Sequence, residues 1–481
     1  MLKSKLLIIF MACIVFQSLY SESNRTRYEI RSIKFVIQGK TREVVLSNYL
    51  NIIPGTSFAG VAELQAYLSE KHQMIDNQRT IAEGRIDAFY ESDPDSIGNI
   101  FVDLIVSVKD TWNYLLLPYA KFDSNDGFLL SVRGRNYNFL GGMDKLSLNI
   151  DYLLNTSGES EYSINGGFKL PFYLWNLNWG FSFDEDVTVS PNDPLSIDTS
   201  AGISVDIPLD SLTWQASVLQ YYYLNEDGEE DADGYYMKTS ARFGSSIPLG
   251  LNIPGVGEVR YSPGIITNYA YKPFGTLSEE RKGYELGVEH GLSAGRINWV
   301  GNFRDGIEIS ADQNIRYNFT RELWLSNSSF EIQLHKAFGW SGFSSRLKGF
   351  YLYNDTDEDL GEPIRGVLNN RLDGNGAIFV NLDFPVKLWL WFLDPWFEGH
   401  FATFFDFALV KPENGSFNLD DTWYGGGVEG FVFFKAARSI YLRASLGVDL
   451  QAVAEGAGFG DSAPRDGASI YEIFIGLGHH Y

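Results

Sequence analysis

The sequence predicts a membrane β-barrel of antiparallel strands preceded by a small α+β domain. Three observations carry that expectation. From Trp112 to Tyr481 the chain runs in segments of roughly ten residues that alternate in polarity, with almost no helical periodicity. The links between these segments alternate between short ones and longer acidic ones. The composition is rich in strand and turn formers, with 27 Tyr, 35 Phe, 11 Trp and 48 Gly at a mean hydropathy of only -0.13. With a single cysteine among 481 residues, a disulfide scaffold is excluded. The net charge of -23 argues against nucleic acid, whose phosphates call for clustered Lys and Arg.

Residues 1–21 have the layout of a secretory signal peptide. Lys3 and Lys5 precede an apolar run from Leu6 to Phe16, and small or polar residues follow at Ser18, Ser21 and Ser23. The run is too short to span a bilayer as a helix, and no later segment supplies the necessary apolar length. Cys13 lies inside the run and leaves with it. An acylated Cys13 is the alternative, against which Ile14, Val15 and Phe16 continue the apolar run. The reading is of an exported chain without a helical anchor.

Residues 28–110 form the small domain. Ile30, Ile33, Phe35 and Ile37 mark a strand ending at Gln38-Gly39. Val44, Val45, Leu46, Tyr49 and Leu50 mark a first helix, stopped by Pro54-Gly55. Val61, Leu64, Tyr67, Leu68 and Ile75 give a second helix an apolar face for packing on a sheet. Strands at Gly84–Tyr90 and Asn99–Lys109 follow, separated by the turn-rich residues 92–96. The order strand, helix, helix, strand, strand resembles that of a polypeptide-transport-associated (POTRA) domain; any other small α+β module is the plain alternative.

Residues 112–481 read as one closed sheet. In 439–454, Ile440, Leu442, Ala444, Leu446, Val448 and Leu450 share one face, and Arg443, Ser445, Gly447, Asp449 and Gln451 the other. A large sheet with one apolar face needs a second layer, and no helices are available to supply it. A bilayer can serve, provided the sheet closes so that no backbone group meets lipid unpaired. Short links such as 208–210 and 434–438 alternate with longer ones such as 225–234 and 354–362, the asymmetry of outer-membrane barrels. The final strand carries Tyr471, Ile473, Ile475, Leu477, His479 and Tyr481 on one face and ends on an aromatic residue. A soluble propeller would show a repeat of fixed blade length, and none is present.

Residues 363–386 hold the most specific motif. Ile364, Arg365, Gly366 and Val367, with the strand that follows, resemble the sixth outer loop of the BamA/TamA-type outer-membrane assembly proteins, the bacterial surface antigen superfamily. That resemblance implies a loop folded back into the barrel, with its arginine set against inward acidic residues. Val367 stands where the signature has Phe or Tyr. Independently of the family, Phe401, Thr403, Phe405, Phe407 and Leu409 share one face, so Asp406 points the other way. Ile378, Val380, Leu382 and Phe384 do the same for Asp383. Both carboxylates then face the lumen, within reach of Arg365. Val132-Arg133-Gly134 repeats the triplet inside an alternating strand and reads as a decoy; residues 126–142 resemble the family's first hairpin. The polarity pattern counts thirteen strands before Arg365 and five after, eighteen in all. The resemblance implies sixteen, and sixteen is the expectation, with one hairpin in 234–300 taken as surplus.

The resemblance further implies insertion of β-barrel proteins into the outer membrane, or passage of a polypeptide or lipid, through a weak seam between the first and last strands. Here the seam lies between residues 114–122 and 471–481, where Gly476 and Gly478 would weaken pairing. The partners implied are outer-membrane lipids, a client β-barrel or secreted polypeptide, and accessory periplasmic or lipoprotein partners, with the small domain in the periplasm. A passive channel or surface structural protein is the alternative. No catalytic residue, cofactor or metal is expected. The six histidines, at 72, 290, 335, 400, 479 and 480, have no metal spacing, and neither a nucleophile elbow nor a phosphate loop occurs. Residues 229–234 open like a calcium loop, but the twelfth position is Ser240. Gly425, Gly426 and Gly427 read as a thin spot on a strand.

Overall fold

The computed structural model describes residues 27–477 apart from 79, 95–97, 210–211, 226–232, 279–280, 355–359, 361, 390–395, 414, 436–440 and 459. The signal peptide predicted at 1–21, Cys13, residues 229–232, and Gly478, His479, His480 and Tyr481 lie outside the described residues. Two compact units are present: residues up to Asn113 together with Leu140–Met143, and the remainder.

The first unit contains β1 (Arg27–Gln38), α1 (Glu43–Leu50), β2 (Ser57–Phe58), α2 (Val61–Asn77), β3 (Ile81–Tyr90) and β4 (Asn99–Asp110). The sheet order is β2-β1-β4-β3, with β1 parallel to β4 and the other pairs antiparallel. The two-residue β2 escaped the polarity pattern because it is too short to show a period. Leu46 and Leu50 of α1 and Leu64 and Ile75 of α2 are buried with Ile30, Val102, Leu104 and Val106 of the sheet. A bulge between Ile30 and Ser32 turns both Arg31 and Ser32 toward Asp103 on β4.

The second unit begins with β5 (Tyr114–Asp123), β6 (Gly127–Asn136), β7 (Leu146–Leu154), β8 (Ser160–Leu174), β9 (Leu177–Val189), β10 (Ser196–Leu209) and β11 (Leu212–Leu224). It continues through β12 (Tyr235–Ser245), β13 (Ile247–Ile253), β14 (Gly257–Tyr271), β15 (Gly283–Val300), β16 (Phe303–Asn318), β17 (Leu323–Ala337) and β18 (Gly342–Tyr353). The last strands are β19 (Gly376–Leu388), β20 (Phe397–Lys411), β21 (Thr422–Phe434), β22 (Tyr441–Asp449) and β23 (Tyr471–Leu477), with a short helix α3 (Leu450–Ala454) after β22. They form one closed antiparallel barrel from β5 round to β23. β12 and β13 both pair with β14 and make one bent strand, so among the described residues the wall has 18 strands.

This corrects the expectation of sixteen. The region suspected of a surplus hairpin holds β14 and β15, paired from Val259↔Ala294 to Ala270↔Gly283, and the polarity count of thirteen plus five stands. The motif-bearing loop is therefore the seventh on its side of the barrel, not the sixth. The strand read through to residue 454 stops at Asp449, whose carboxylate accepts from the N–H groups of Gln451 and Ala452 and starts α3 instead.

Connections at one end are tight. Trp175 and Asn176, with φ of 53° and 59°, join β8 to β9, and Gly301-Asn302 join β15 to β16. Connections at the other end include residues 272–282, 354–375 and 450–470. The outer face is apolar and uncovered, as at Leu116, Leu130, Ile150, Ile164, Ile265, Val288 and Leu292. So large an apolar surface has no place in water, and a closed sheet is the form in which strands can meet hydrocarbon. Among the described residues no helix is long and apolar enough to cross a membrane.

Candidate functional site

Strand alternation sends Asp383 (β19), Phe404 and Asp406 (β20), Glu429 (β21), Arg443 (β22) and Glu472 (β23) into the lumen on adjacent staves. Residues 362–375 of the loop lie among them, and Arg365 is buried. Its Nε and Nη2 donate to Asp406 Oδ2 and Oδ1, both at 2.8 Å, and its own backbone N–H donates to Oδ2 at 2.9 Å. Nη1 donates to Asp383 Oδ1 at 2.7 Å and lies 3.3 Å from Glu429 Oε1. The guanidinium carbon sits 4.0 Å from the centre of the Phe404 ring. Arg443 Nε donates to Glu429 at 3.0 Å, and its guanidinium stacks on Phe474 at 4.6 Å. A planar fork with donors in fixed directions suits this geometry; an ammonium does not.

The loop backbone lies directly against the wall. Gly366 has φ +90°, a conformation that favours glycine, and its N–H donates to Glu472 Oε2 at 2.6 Å. A Cβ on Gly425 would fall 1.8 Å from the Arg365 carbonyl oxygen. Within the thin spot read at 425–427, Gly425 is thus part of the bed of the loop. Ile364 and Val367 are buried with Leu360, Leu372, Ala377, Phe379, Ala408, Val410 and Trp423. Arg371 clamps the loop a second time, 2.9 Å from Asp449 Oδ2 and donating to Asp466 Oδ2 at 2.7 Å. Burial pushes the Asp466 carboxyl up, but hydrogen bonds from Arg371 and the Ala468 N–H outweigh it and hold the group below the ordinary carboxylate range.

The seam is short. β5 pairs with β6 from Tyr114↔Asn136 to Asp123↔Gly127, whereas among the described residues β23 pairs with β5 at Phe474↔Asp123 and Ile475↔Phe122. Just beyond those pairs a Cβ on Gly476 would sit 2.5 Å from the Tyr119 hydroxyl, so that ring covers the inner side of the gap. Of the residues singled out from the sequence, Ile364, Arg365, Gly366, Val367, Asp383 and Asp406 converge in one place. Tyr471, Ile473 and Ile475 lie on the closing strand with Gly476. Arg133 lies mid-strand on β6, its guanidinium 3.6 Å from the centre of the Tyr119 ring. Glu429, Arg443, Glu472, Arg371 and Asn125 were missed. The first three sit at inward positions of alternating strands, a signal present in the sequence; Arg371 and Asn125 lie in loops and give none. Asp233, from the calcium-like stretch, accepts instead from the Ser278 N–H at 2.8 Å and from Arg281.

No family model matches the chain, and no curated protein matches it. Among solved structures the chain is similar to CdiB from Acinetobacter baumannii, with a TM-score of 0.50 and 14% identity over 94% of this chain and 74% of that one. BamA from Haemophilus ducreyi lacking POTRA domains 1-3 gives 0.43 and 10% over 93% and 84%. CdiB from Escherichia coli gives 0.43 and 8% over 94% and 90%. The likeness to the first is one of fold: the chain shares the barrel fold of that CdiB.

Proposed function

We propose that this chain is an outer-membrane barrel of the BamA/TamA type that assists the insertion of barrel proteins, or passes a polypeptide or lipid, through the seam between β5 and β23. The observation that carries the reading is the combination of a seam ladder of two residue pairs, among the described residues, with an arginine-anchored loop inside the lumen. A passive pore has no use for either: its wall is better closed by a full ladder, and a loop held by three carboxylates obstructs flow. In this reading residues 1–21 are a signal peptide, and the unit at 28–110 is a POTRA-like periplasmic domain that accepts a client strand by edge addition. Its partners are then lipids, a client β-barrel or secreted polypeptide, and accessory periplasmic or lipoprotein partners.

Depletion of the protein, followed by quantification of other outer-membrane barrels and secreted proteins, tests the reading. A selective fall in one of these classes is expected; unchanged levels of all of them would overturn it. Planar-bilayer conductance of wild type and Arg365→Ala separates the alternative: a large, steady pore in the wild type favours a passive channel.

A further inference from the structure

The inserted loop also reaches the seam itself. Glu472, on the closing strand two residues before the ladder contact at Phe474, is buried and accepts two hydrogen bonds. Its Oε2 takes the Gly366 N–H of the loop at 2.6 Å, and its Oε1 takes Asn125 Nδ2 of the β5–β6 turn at 3.0 Å. Asn125 in turn accepts the Asn369 N–H of the same loop at 2.8 Å through Oδ1, and Asp123 Oδ1 holds it from below. Beside it the Ser124 N–H donates to the Ile473 carbonyl at 3.1 Å, and the Ile473 N–H donates to Ser124 Oγ at 3.0 Å. The first hairpin, the last strand and the loop tip are therefore joined at one end of the two ladder pairs, the end opposite Gly476.

We infer that Glu472 and Asn125 form a clasp through which docking of the loop tip, Gly366 to Asn369, holds the β5–β23 seam closed. This rests on the seam reading above and assigns its control. The bonds from Gly366 and Asn369 exist only while the loop is seated. When the loop lifts, Glu472 keeps a buried carboxyl group with one donor fewer, and Asn125 Oδ1 loses the Asn369 N–H that fixes its amide. The two ladder pairs then keep the Ser124–Ile473 bonds but lose their link to the loop. Glu472 is a positioning residue: it acts through the backbone of Gly366 and the amide of Asn125.

The test uses the full chain in client-free proteoliposomes. Cysteines replace Phe122 and Ile475, which face each other across the seam, and disulfide yield under mild oxidation reports closure. A second pair, replacing Leu446 and Ile473 across the β22–β23 ladder, reports whether the closing strand itself is intact. In Glu472→Gln and in Asn125→Ala the seam yield should shift toward the open state by about fivefold, the weight of one hydrogen bond, with the β22–β23 yield unchanged. Unchanged seam yield in both variants overturns the clasp, and so does an equal fall at both cysteine pairs, which would mean general loosening of β23. Because no client is present, the outcome is separate from that of the depletion experiment: a clasp that works in a protein whose loss spares every other barrel would refute the proposed function and leave this inference standing.

Discussion

Gly447 lies so close to Gly366 that a Cβ built on it would fall 2.5 Å from the Gly366 nitrogen and 2.6 Å from its Cα. The loop backbone is laid on the strand backbone there, and no side chain intervenes. Gly447→Ala should lift the loop tip and cost about 1–3 kcal/mol, the usual penalty of overpacking. Protease cleavage within residues 354–375 of the folded barrel reads this directly; wild-type resistance in the variant would mean that the loop can shift without leaving its seat.

Arg365 has acidic partners on three strands, and its value lies in what its removal exposes. Asp406 is buried, and without the guanidinium its carboxylate loses the compensation that burial requires, while Glu429 keeps Arg443. Arg365→Ala should cost about 3–5 kcal/mol, the range for a buried pair stripped of one member. Arg365→Lys should fall between, since an ammonium cannot span both Asp406 oxygens and Asp383 at once. Adding Asp406→Asn to the alanine variant should recover part of the loss. Urea titration of the barrel in detergent measures all three, and an alanine variant as stable as wild type would contradict the assignment.

Val367 occupies the position at which the resembling signature carries an aromatic ring, and it is fully buried. The wall supplies rings in its place, with Phe379 and Trp423 in the same cluster. Val367→Phe should therefore overpack the cluster and lower stability by about 1–3 kcal/mol. Combined with Phe379→Val it should lose less than either single change, in the sense of a double-mutant cycle. A stabilised Val367→Phe would show that the loop tip has room to spare.

The Arg31 and Ser32 hydrogen bonds hold the Asp103 carboxyl down to about 2, below its ordinary 3.8. A depressed carboxylate contributes stability that is complete above its unfolded pKa and lost as pH falls through the folded value. The first unit should thus hold its fold down to about pH 4 and loosen between there and about pH 2. Asp103→Asn should remove this dependence. Limited proteolysis of the full chain across that range is the measurement, and matching profiles for the two proteins would dismiss the contribution.

The parts of this molecule that were legible in the sequence are those governed by a period of two. Alternation put Asp383 and Asp406 on the inward side, and it counted eighteen strands; the error of sixteen came from letting a resemblance overrule that count. The same alternation placed Arg443 opposite Leu442, but it cannot say which inward residues meet, because that depends on cross-strand register around the ring. Glu429 and Arg443 are fourteen positions apart in sequence yet share a hydrogen bond. Asn125 and Glu472 meet only because the barrel closes, a fact that no local pattern contains. The bulge at Arg31 and the helical turn after Asp449 escaped for the opposite reason: each breaks the period within a few residues.

The same periodicity exposes an exception on the outer face. His290, Gln313 and Ser328 share the outward register with Val288, Leu292, Ile315 and Phe330, so these polar side chains stand within a largely apolar band. Hydrocarbon offers them no partner, and they satisfy each other. The His290 Nε2 and Gln313 Oε1 are 3.0 Å apart, Gln313 Nε2 donates to Ser328 Oγ at 3.0 Å, and the Tyr261 hydroxyl lies 3.4 Å from His290 Nδ1. Replacing one member strands the others: His290→Leu leaves the Gln313 carbonyl oxygen facing lipid without its histidine and should cost about 1–3 kcal/mol. The double change His290→Leu with Gln313→Leu removes both ends of the bond and should restore most of the loss, because leucine belongs in that band. Reversible unfolding of the four proteins from lipid bilayers gives the coupling energy. Additive penalties would mean that the two side chains do not depend on each other, and that a polar group at this depth is satisfied in another way.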